Sequence, residues 1–134
     1  MKFLYQLSVH TKDVDDLGLV FHARYVEWLS VAREELLRTA GVTINHMRAM
    51  DFRMAVKKIE ISFKKAAKNE DQISIETTIK SLFKHKINFF QTIHAANGDI
   101  LATASIVSIL IDEARDNCII MKPQTYWLLK SYAH

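Results

Sequence analysis

The spacing of apolar residues separates one long helix from a series of strands. Near the start, Phe3, Tyr5, Leu7 and Val9 recur at every second position, which predicts a half-buried strand. From His22 onward the apolar residues recur at three- and four-residue steps instead: Tyr25, Trp28, Leu29, Ala32, Leu36 and Ala40. Gly41 follows directly, where a glycine commonly ends a helix. The pattern therefore predicts a helix from about His22 to Ala40, with Glu34 and Arg38 as a favourable pair on its exposed side.

The remainder of the chain has the pattern of strands. Period-two alternation recurs around three segments, 59–63, 73–79 and 87–93. The Asn97-Gly98 pair predicts a tight hairpin, and the nearly continuous apolar run Ile100–Ile111 predicts a central strand. We expect a further short strand at Cys118–Met121 and a closing helix at Gln124–Ser131, with Pro123 in its first turn. One helix with five or six antiparallel strands predicts an α+β layered architecture in a single domain, residues 1–134.

Composition narrows the class of protein. Of 134 residues, 49% are hydrophobic and 25% are charged, which is typical of a folded soluble protein. No apolar run approaches the roughly 20 residues of a membrane span, and the alternating start is not that of a signal peptide. The single cysteine, Cys118, excludes an intrachain disulfide and fits the cytoplasm. A net charge of +3 is too small to indicate a nucleic-acid-binding surface.

An acidic loop that enters the long helix is the main candidate for chemistry. Asp13, Asp15 and Asp16 are followed by Gly18, and the helix then begins near His22. A carboxylate near a helix N-terminus is kept ionised by the helix dipole, so it can act as a nucleophile or activate water. The amides of a first helical turn lack internal acceptors and can stabilise an oxyanion. From the pattern alone, capping or a solvated loop is the more common use of such aspartates, and this is the use we expect of Asp13 and Asp16.

The same loop carries a resemblance to a known family. Asp15, Gly18, Val20, His22 and Tyr25 match an Asp-x-x-Gly-x-Val-x-His/Pro-x-x-Tyr pattern, and the helix that follows contains an Ala32-Arg33 step. In these residues and in the segment 63–71 the chain resembles the hot-dog-fold thioesterases. The branch it resembles contains 4-hydroxybenzoyl-CoA thioesterase and the Tol-Pal-associated acyl-CoA thioesterases. The chain departs from that family at Asp16, Leu17 and Ala66, and the sequence leaves open whether Leu17 narrows the acyl pocket.

The resemblance implies both a fold and a reaction. The fold is a five- to six-stranded antiparallel sheet wrapped around one long central helix, with a short C-terminal helix. The reaction is hydrolysis of an acyl-CoA or acyl-carrier-protein thioester to the free acid and the thiol. No separate cofactor is implied, because coenzyme A is part of the substrate. A second subunit is expected to complete the site, giving a homodimer or homotetramer.

Particular residues inherit roles from the resemblance. Asp15 is the expected nucleophile or general base, and the His22 backbone N–H is expected to polarise the thioester carbonyl. Gly18 is expected to allow close approach of the substrate, and Tyr25 to line the acyl pocket or simply fill the core. The turn Lys84-His85-Lys86 is expected to hold the nucleotide end of coenzyme A, with other lysines, including Lys64, Lys65 and Lys68, as further candidates.

Two other functions stay open at this stage. A non-catalytic module that binds acyl-CoA or an acyl carrier protein would keep the same fold, and Leu17 is the feature in its favour. A nucleic-acid-binding sheet would use strand aromatics near lysines, although no RNA-binding motif is present. A metal centre is not expected, because the histidines lack ligand spacing: His10, His46, His85, His94 and His134.

Overall fold

In the computed structural model, one long helix lies against a single antiparallel sheet. The structure describes residues 1–112, 114–115 and 117–133, so His134 lies outside the described residues. The elements are β1 Phe3–Ser8, a 3-10 turn Thr11–Asp13, α1 His22–Ala40, α2 Ile44–Ala49, β2 Phe52–Phe63, β3 Gln72–Leu82, β4 Lys86–Ala95, β5 Ile100–Asp112 and α3 Pro123–Lys130. The described strands form a five-stranded sheet in the order β1-β3-β4-β5-β2. This is the expected hot-dog fold, and the prediction is confirmed.

The core forms between the apolar side of α1 and one face of the sheet. Tyr25, Leu29, Ala32 and Leu36 are buried on the helix, at the positions that the sequence pattern predicted. The sheet contributes buried apolar side chains at alternate positions of its central strands, among them Ile73, Ile75, Ile79, Ile87, Phe89, Ile93, Ile106 and Leu110. Gly41 ends the helix with φ of 101°, and its N–H donates to the carbonyls of Leu37 and Arg38. The Asn97-Gly98 hairpin between β4 and β5 is also confirmed.

Strand β2 leaves one edge of the sheet open. It pairs with β5 on one side, and no other described strand pairs with its second side. The register shifts between Val56 and Lys58, so Lys57 is an extra residue in a bulge. Ile59, Ile61 and Phe63 lie opposite buried residues of β5 and therefore face the helix layer.

Three local predictions need correction. Residues 118–121 do not form a strand, because only Cys118 makes a single bridge, to Ile111. Arg38 pairs with Glu35 at 2.6 Å, three residues back, instead of with Glu34. Helix α2 was not predicted, since its six residues are too few to show a helical period.

Candidate active site

The acidic loop holds Asp15 in a fixed turn. Oδ1 of Asp15 accepts hydrogen bonds from the N–H groups of Leu17, at 2.9 Å, and Leu19, at 3.1 Å. The N–H of Gly18 donates to the Asp15 carbonyl at 3.0 Å, and Gly18 itself has φ of 78°, a left-handed conformation that favours glycine. In the part of the chain that the structure describes, Oδ2 of Asp15 has no hydrogen-bond partner. One carboxylate oxygen therefore orients the group, and the other is free to react.

Asp13 anchors this loop from inside the protein. Its side chain is only 4% exposed, accepts the His10 N–H at 2.9 Å and lies 3.5 Å from Nε of Arg24. The expectation that Asp13 is solvated is therefore wrong, whereas Asp16 is exposed as expected. The carbonyl of Asp13 also accepts the Phe21 N–H at 3.1 Å. These bonds fix where the loop joins the helix.

The start of α1 presents free backbone donors. Phe21 is the N-cap residue, and its side chain caps no amide. The amides of His22 and Ala23 have no hydrogen-bond acceptor among the described residues. Because the dipole of α1 also places partial positive charge at this end, the first turn can stabilise a developing oxyanion.

Asp15 and His22 line the same cleft, whose volume is about 450 Å³. The His22 ring stacks on Phe63 with centroids 4.5 Å apart, and Phe63 meets Tyr25 edge-to-face at 5.3 Å. The Tyr25 hydroxyl accepts the Ala67 N–H at 2.8 Å, and burial raises the pKa of Tyr25 above its usual value. Tyr25 is thus both a core residue and a wall of the cleft. The role of Phe63 was missed, because it is 41 positions from His22 and only the fold brings them together.

A lysine pair forms the rim of this cleft. Lys64 and Lys65 follow β2 directly, and both line the cavity. Lys65 lies 2.8 Å from Oδ2 of Asp99, and this contact lowers the pKa of that carboxyl group. Lys64 is exposed and has no ion pair within the described segments. Lys64 is therefore the cation at the rim that is available to an anionic ligand.

The turn Lys84-His85-Lys86 lies elsewhere in the chain. Lys86 is opposite Ile109 of β5, whereas Phe63 at the cleft is opposite Ala102. Seven residues of strand separate these two levels, a distance of roughly 23 Å. The structure therefore does not bring these three residues to the Asp15 cleft of the same chain.

Leu17 also lies outside the cleft. Its side chain is 82% exposed, and the adjacent cleft wall is formed instead by Leu19, Val20 and Phe21. Within one chain, Leu17 therefore does not narrow this cleft.

We also searched the described residues for a metal site and for a membrane-spanning helix. Across residues 1–112, 114–115 and 117–133, no three potential ligands cluster in a way that could hold a metal ion. No helix in the same residues has both the length and the apolar character needed to cross a membrane.

Comparison with known proteins agrees with the fold. The acyl-CoA thioester hydrolase YbgC of Escherichia coli O6:H1 is 28% identical over 122 residues, which span 91% of this chain and 87% of YbgC. The probable thioesterase from Bartonella henselae superimposes with a TM-score of 0.81 at 28% identity, over 91% of this chain and 100% of that one. A protein of Staphylococcus aureus, SAV2348, solved in complex with CoA, superimposes with a TM-score of 0.93 over 98% of this chain and 84% of that one. At 11% identity, that last likeness shows the fold alone.

A family model described as the thioesterase-like superfamily matches residues 9–125. The match spans the Asp15 loop and four of the five described strands, β2 to β5. The chain therefore belongs to the thioesterase-like superfamily.

Proposed function

We propose that this protein hydrolyses acyl-CoA thioesters to the free acid and coenzyme A, and that the cleft beside α1 is the active site. The observation that carries the proposal is the pairing of two groups on one cavity. One is the free oxygen of the Asp15 carboxylate, and the other is the uncapped first turn of α1 at His22. Thioester hydrolysis needs both a nucleophile and a place for the carbonyl charge. The names of YbgC and of the Bartonella henselae protein support the same reaction.

The reaction then proceeds through a tetrahedral intermediate. In the general-base route, Asp15 removes a proton from water as the water oxygen bonds to the thioester carbon. The carbonyl oxygen becomes an oxyanion, which the His22 N–H stabilises. When the intermediate collapses, the carbon–sulfur bond breaks, and the coenzyme A thiolate takes up the proton that Asp15 accepted. In the covalent route, Asp15 attacks the carbon directly, and the carbon–sulfur bond breaks to give an anhydride and the coenzyme A thiolate. Water then hydrolyses the anhydride to the free acid and the Asp15 carboxylate, and the proton that this step releases is taken up by the thiolate.

The nucleotide end of coenzyme A is proposed to lie against the lysine rim. Lys64 lines the cleft, has no ion pair among the described residues and can contact a phosphate. The turn Lys84-His85-Lys86 can take part only if another subunit brings it to this cleft, because within one chain it lies roughly 23 Å away along β5. We propose a homodimer, with pairing into a homotetramer, as the assembly that does so. The open edge of β2 is a surface at which such pairing can occur.

Release of free thiol from a panel of acyl-CoAs tests the proposal. Wild type should release thiol, and Asp15→Asn should lose at least about a hundredfold in kcat, as expected when a general base or nucleophile is removed. Asp16→Asn is the matched control, because Asp16 is exposed and adjacent in sequence. If Asp15→Asn keeps the wild-type rate, the role of Asp15 is wrong. Saturable binding without turnover by wild type would support a non-catalytic binding module instead.

A further inference from the structure

Arg33 is a buried cation at the centre of the helix–sheet layer. It is 6% exposed, and its Nη1 donates to Oε1 of Gln91 at 2.9 Å. Gln91 is fully buried, and its Nε2 donates to the Leu29 carbonyl, at 3.0 Å, and to Oγ1 of Thr77, at 2.9 Å. The network joins α1 to the sheet, but every partner in it is neutral.

The guanidinium has no counter-ion in the described chain. No carboxylate of the described residues lies within 4.0 Å of it, and the neighbouring Glu34 is exposed and acts only at longer range. Burial lowers the pKa of Arg33 to about 10, so the group still carries its charge at neutral pH. A guanidinium has five N–H donors, and a buried charge without an anionic partner is costly. The unused donors therefore favour an anion from outside the chain.

A cavity gives that anion a place to bind. Its volume is about 190 Å³, and Arg33 lines it together with Ser30 and Ser108. Phe89 and Val56 form apolar walls of the same cavity. Glu34 also lines the cavity, but its side chain is exposed and its charge is screened by solvent, whereas Arg33 is 6% exposed. The buried guanidinium, the two hydroxyl groups and the apolar walls therefore suit the carboxylate end of an aliphatic chain.

Helical spacing places Arg33 on the same face of α1 as His22, because eleven residues are close to three full turns. Arg33 is eleven residues after His22, a rise of roughly 16 Å along α1, and helical side chains lean back toward the N-terminus. Between the two levels, half-exposed apolar side chains face the same side of the layer: Val26 on α1 and Ile59 on β2. An acyl chain with its thioester at His22 can therefore follow apolar surface toward Arg33.

We infer that Arg33 binds a carboxylate at the distal end of the acyl chain, so that ω-carboxy acyl-CoAs are favoured over plain acyl-CoAs of the same length. The inference rests on the proposed hydrolysis in the Asp15 cleft. Arg33 acts as a specificity-determining residue, and it takes no part in breaking the thioester.

Matched substrate pairs test this inference. We would measure kcat/KM for succinyl-, adipoyl-, sebacoyl- and dodecanedioyl-CoA against butyryl-, hexanoyl-, decanoyl- and dodecanoyl-CoA. Wild type should favour the carboxylate member of the longer pairs by about tenfold or more, the effect of a charge-assisted hydrogen bond of about 1.5 kcal/mol. Arg33→Met should abolish that ratio, because it should lower kcat/KM for the ω-carboxy thioester by about tenfold more than for decanoyl-CoA. Arg33→Lys should retain part of the ratio, because it keeps the charge and loses the planar fork.

Arg38→Met is the matched control, since Arg38 is an exposed arginine on the same helix. It should leave the substrate ratio unchanged. The absence of a carboxylate preference in wild type at every length overturns the inference, whether or not Arg33→Met folds. A carboxylate preference that persists in Arg33→Met also overturns the inference. If wild type shows no carboxylate preference and Arg33→Met has a different oligomeric mass, Arg33 contacts another subunit instead of a substrate carboxylate.

A failure of the proposed hydrolysis gives a different result from a failure of the inference about Arg33. If wild type hydrolyses none of the thioesters, the affinities of sebacoyl-CoA and decanoyl-CoA, measured by calorimetry, still test whether Arg33 binds a carboxylate. If wild type binds sebacoyl-CoA more tightly and Arg33→Met loses this difference, Arg33 binds the carboxylate even though the protein is not a hydrolase of these substrates. Equal affinities of the two esters overturn the site as well.

Discussion

The hydroxyl oxygen of Tyr25 and the backbone nitrogen of Ala67 lie 2.8 Å apart, with the amide as donor. This bond joins the first turns of α1 to the segment that follows β2, and both residues are buried. Because Tyr25 also meets Phe63 edge-to-face, the bond fixes one wall of the proposed catalytic cleft.

Tyr25→Phe should destabilise the protein while preserving the ring packing. The substitution leaves the buried Ala67 N–H without an acceptor, at a cost of about 1–3 kcal/mol in the free energy of unfolding. Urea denaturation would measure the change. Tyr126→Phe is the control, because the Tyr126 hydroxyl makes no hydrogen bond to any described residue, and it should change stability little.

The same tyrosine should make stability depend on alkaline pH. Burial raises the pKa of Tyr25 in the folded state, so folding favours its neutral form. Its contribution is complete below the unfolded value of about 10 and is lost as the pH rises through the higher folded value. The loss of stability above that pH should be smaller in Tyr25→Phe. An unchanged alkaline profile would contradict this assignment.

Two substitutions at His22 distinguish the role of its backbone N–H from the role of its imidazole ring. Proline is tolerated in the first turn of a helix but has no N–H, whereas alanine keeps the N–H and removes the imidazole. His22→Pro should lower kcat by roughly 10²–10³-fold, the effect of losing an oxyanion donor. His22→Ala should cost less than about tenfold, since it removes only the stacking on Phe63.

Circular dichroism should show α1 intact in both His22 variants. Full activity of His22→Pro would contradict a role for this amide and would leave the Ala23 N–H as the donor to test next.

Gly18 and Gly98 form a matched pair for testing the loop. Both have positive φ, 78° and 92°, and an added Cβ would meet no atom within 4 Å at either site. Alanine at either position should therefore cost about 1–2 kcal/mol of stability through backbone strain alone. Only Gly18→Ala should also lower kcat, because the turn at Gly18 orients the Asp15 carboxylate. Equal kcat in the two variants would show that the turn does not position the catalytic group.

Lys64 should affect substrates that carry the nucleotide and no others. Lys64→Ala is expected to raise KM for an acyl-CoA by about tenfold, through loss of a charge-assisted phosphate contact. The KM for the corresponding acyl-pantetheine, which has no nucleotide, should not change. The double variant Lys84→Ala/Lys86→Ala serves as the comparison. If it raises KM and Lys64→Ala does not, a neighbouring subunit supplies the phosphate contacts.

The spacing of apolar residues and the positions of glycines were sufficient to predict the long helix and the hairpin. Residues three and four apart on α1 bury one stripe, so the sequence spacing alone gives the helix, and Gly41 gives its end. The hairpin at Asn97-Gly98 follows from the same kind of short-range information. A hydrogen-bonded loop around Asp15 is similarly local, since its partners Leu17 and Leu19 are within four residues.

The parts that sequence could not predict depend on contacts between distant positions. Asp13 is buried where the helix places Arg24 beside it, eleven positions further along the chain. Phe63 reaches His22 because β2 ends at the level of the helix start. The distance of Lys84 from the cleft follows from the pairing of β4 with β5, which spacing alone does not give.

The open side of β2 has a consequence for how the protein behaves when handled. Until subunits pair, a twelve-residue strand whose second side meets no other described strand can recruit any extended chain and seed aggregates. The extra residue Lys57 in the bulge and the neighbouring charges Lys58 and Glu60 restrict pairing at this edge to a partner of matching register and charge, which favours the proposed subunit pairing over indefinite growth. These three side chains are therefore expected to act as gatekeepers of solubility, and apolar replacements there should favour fibrous precipitates over crystals.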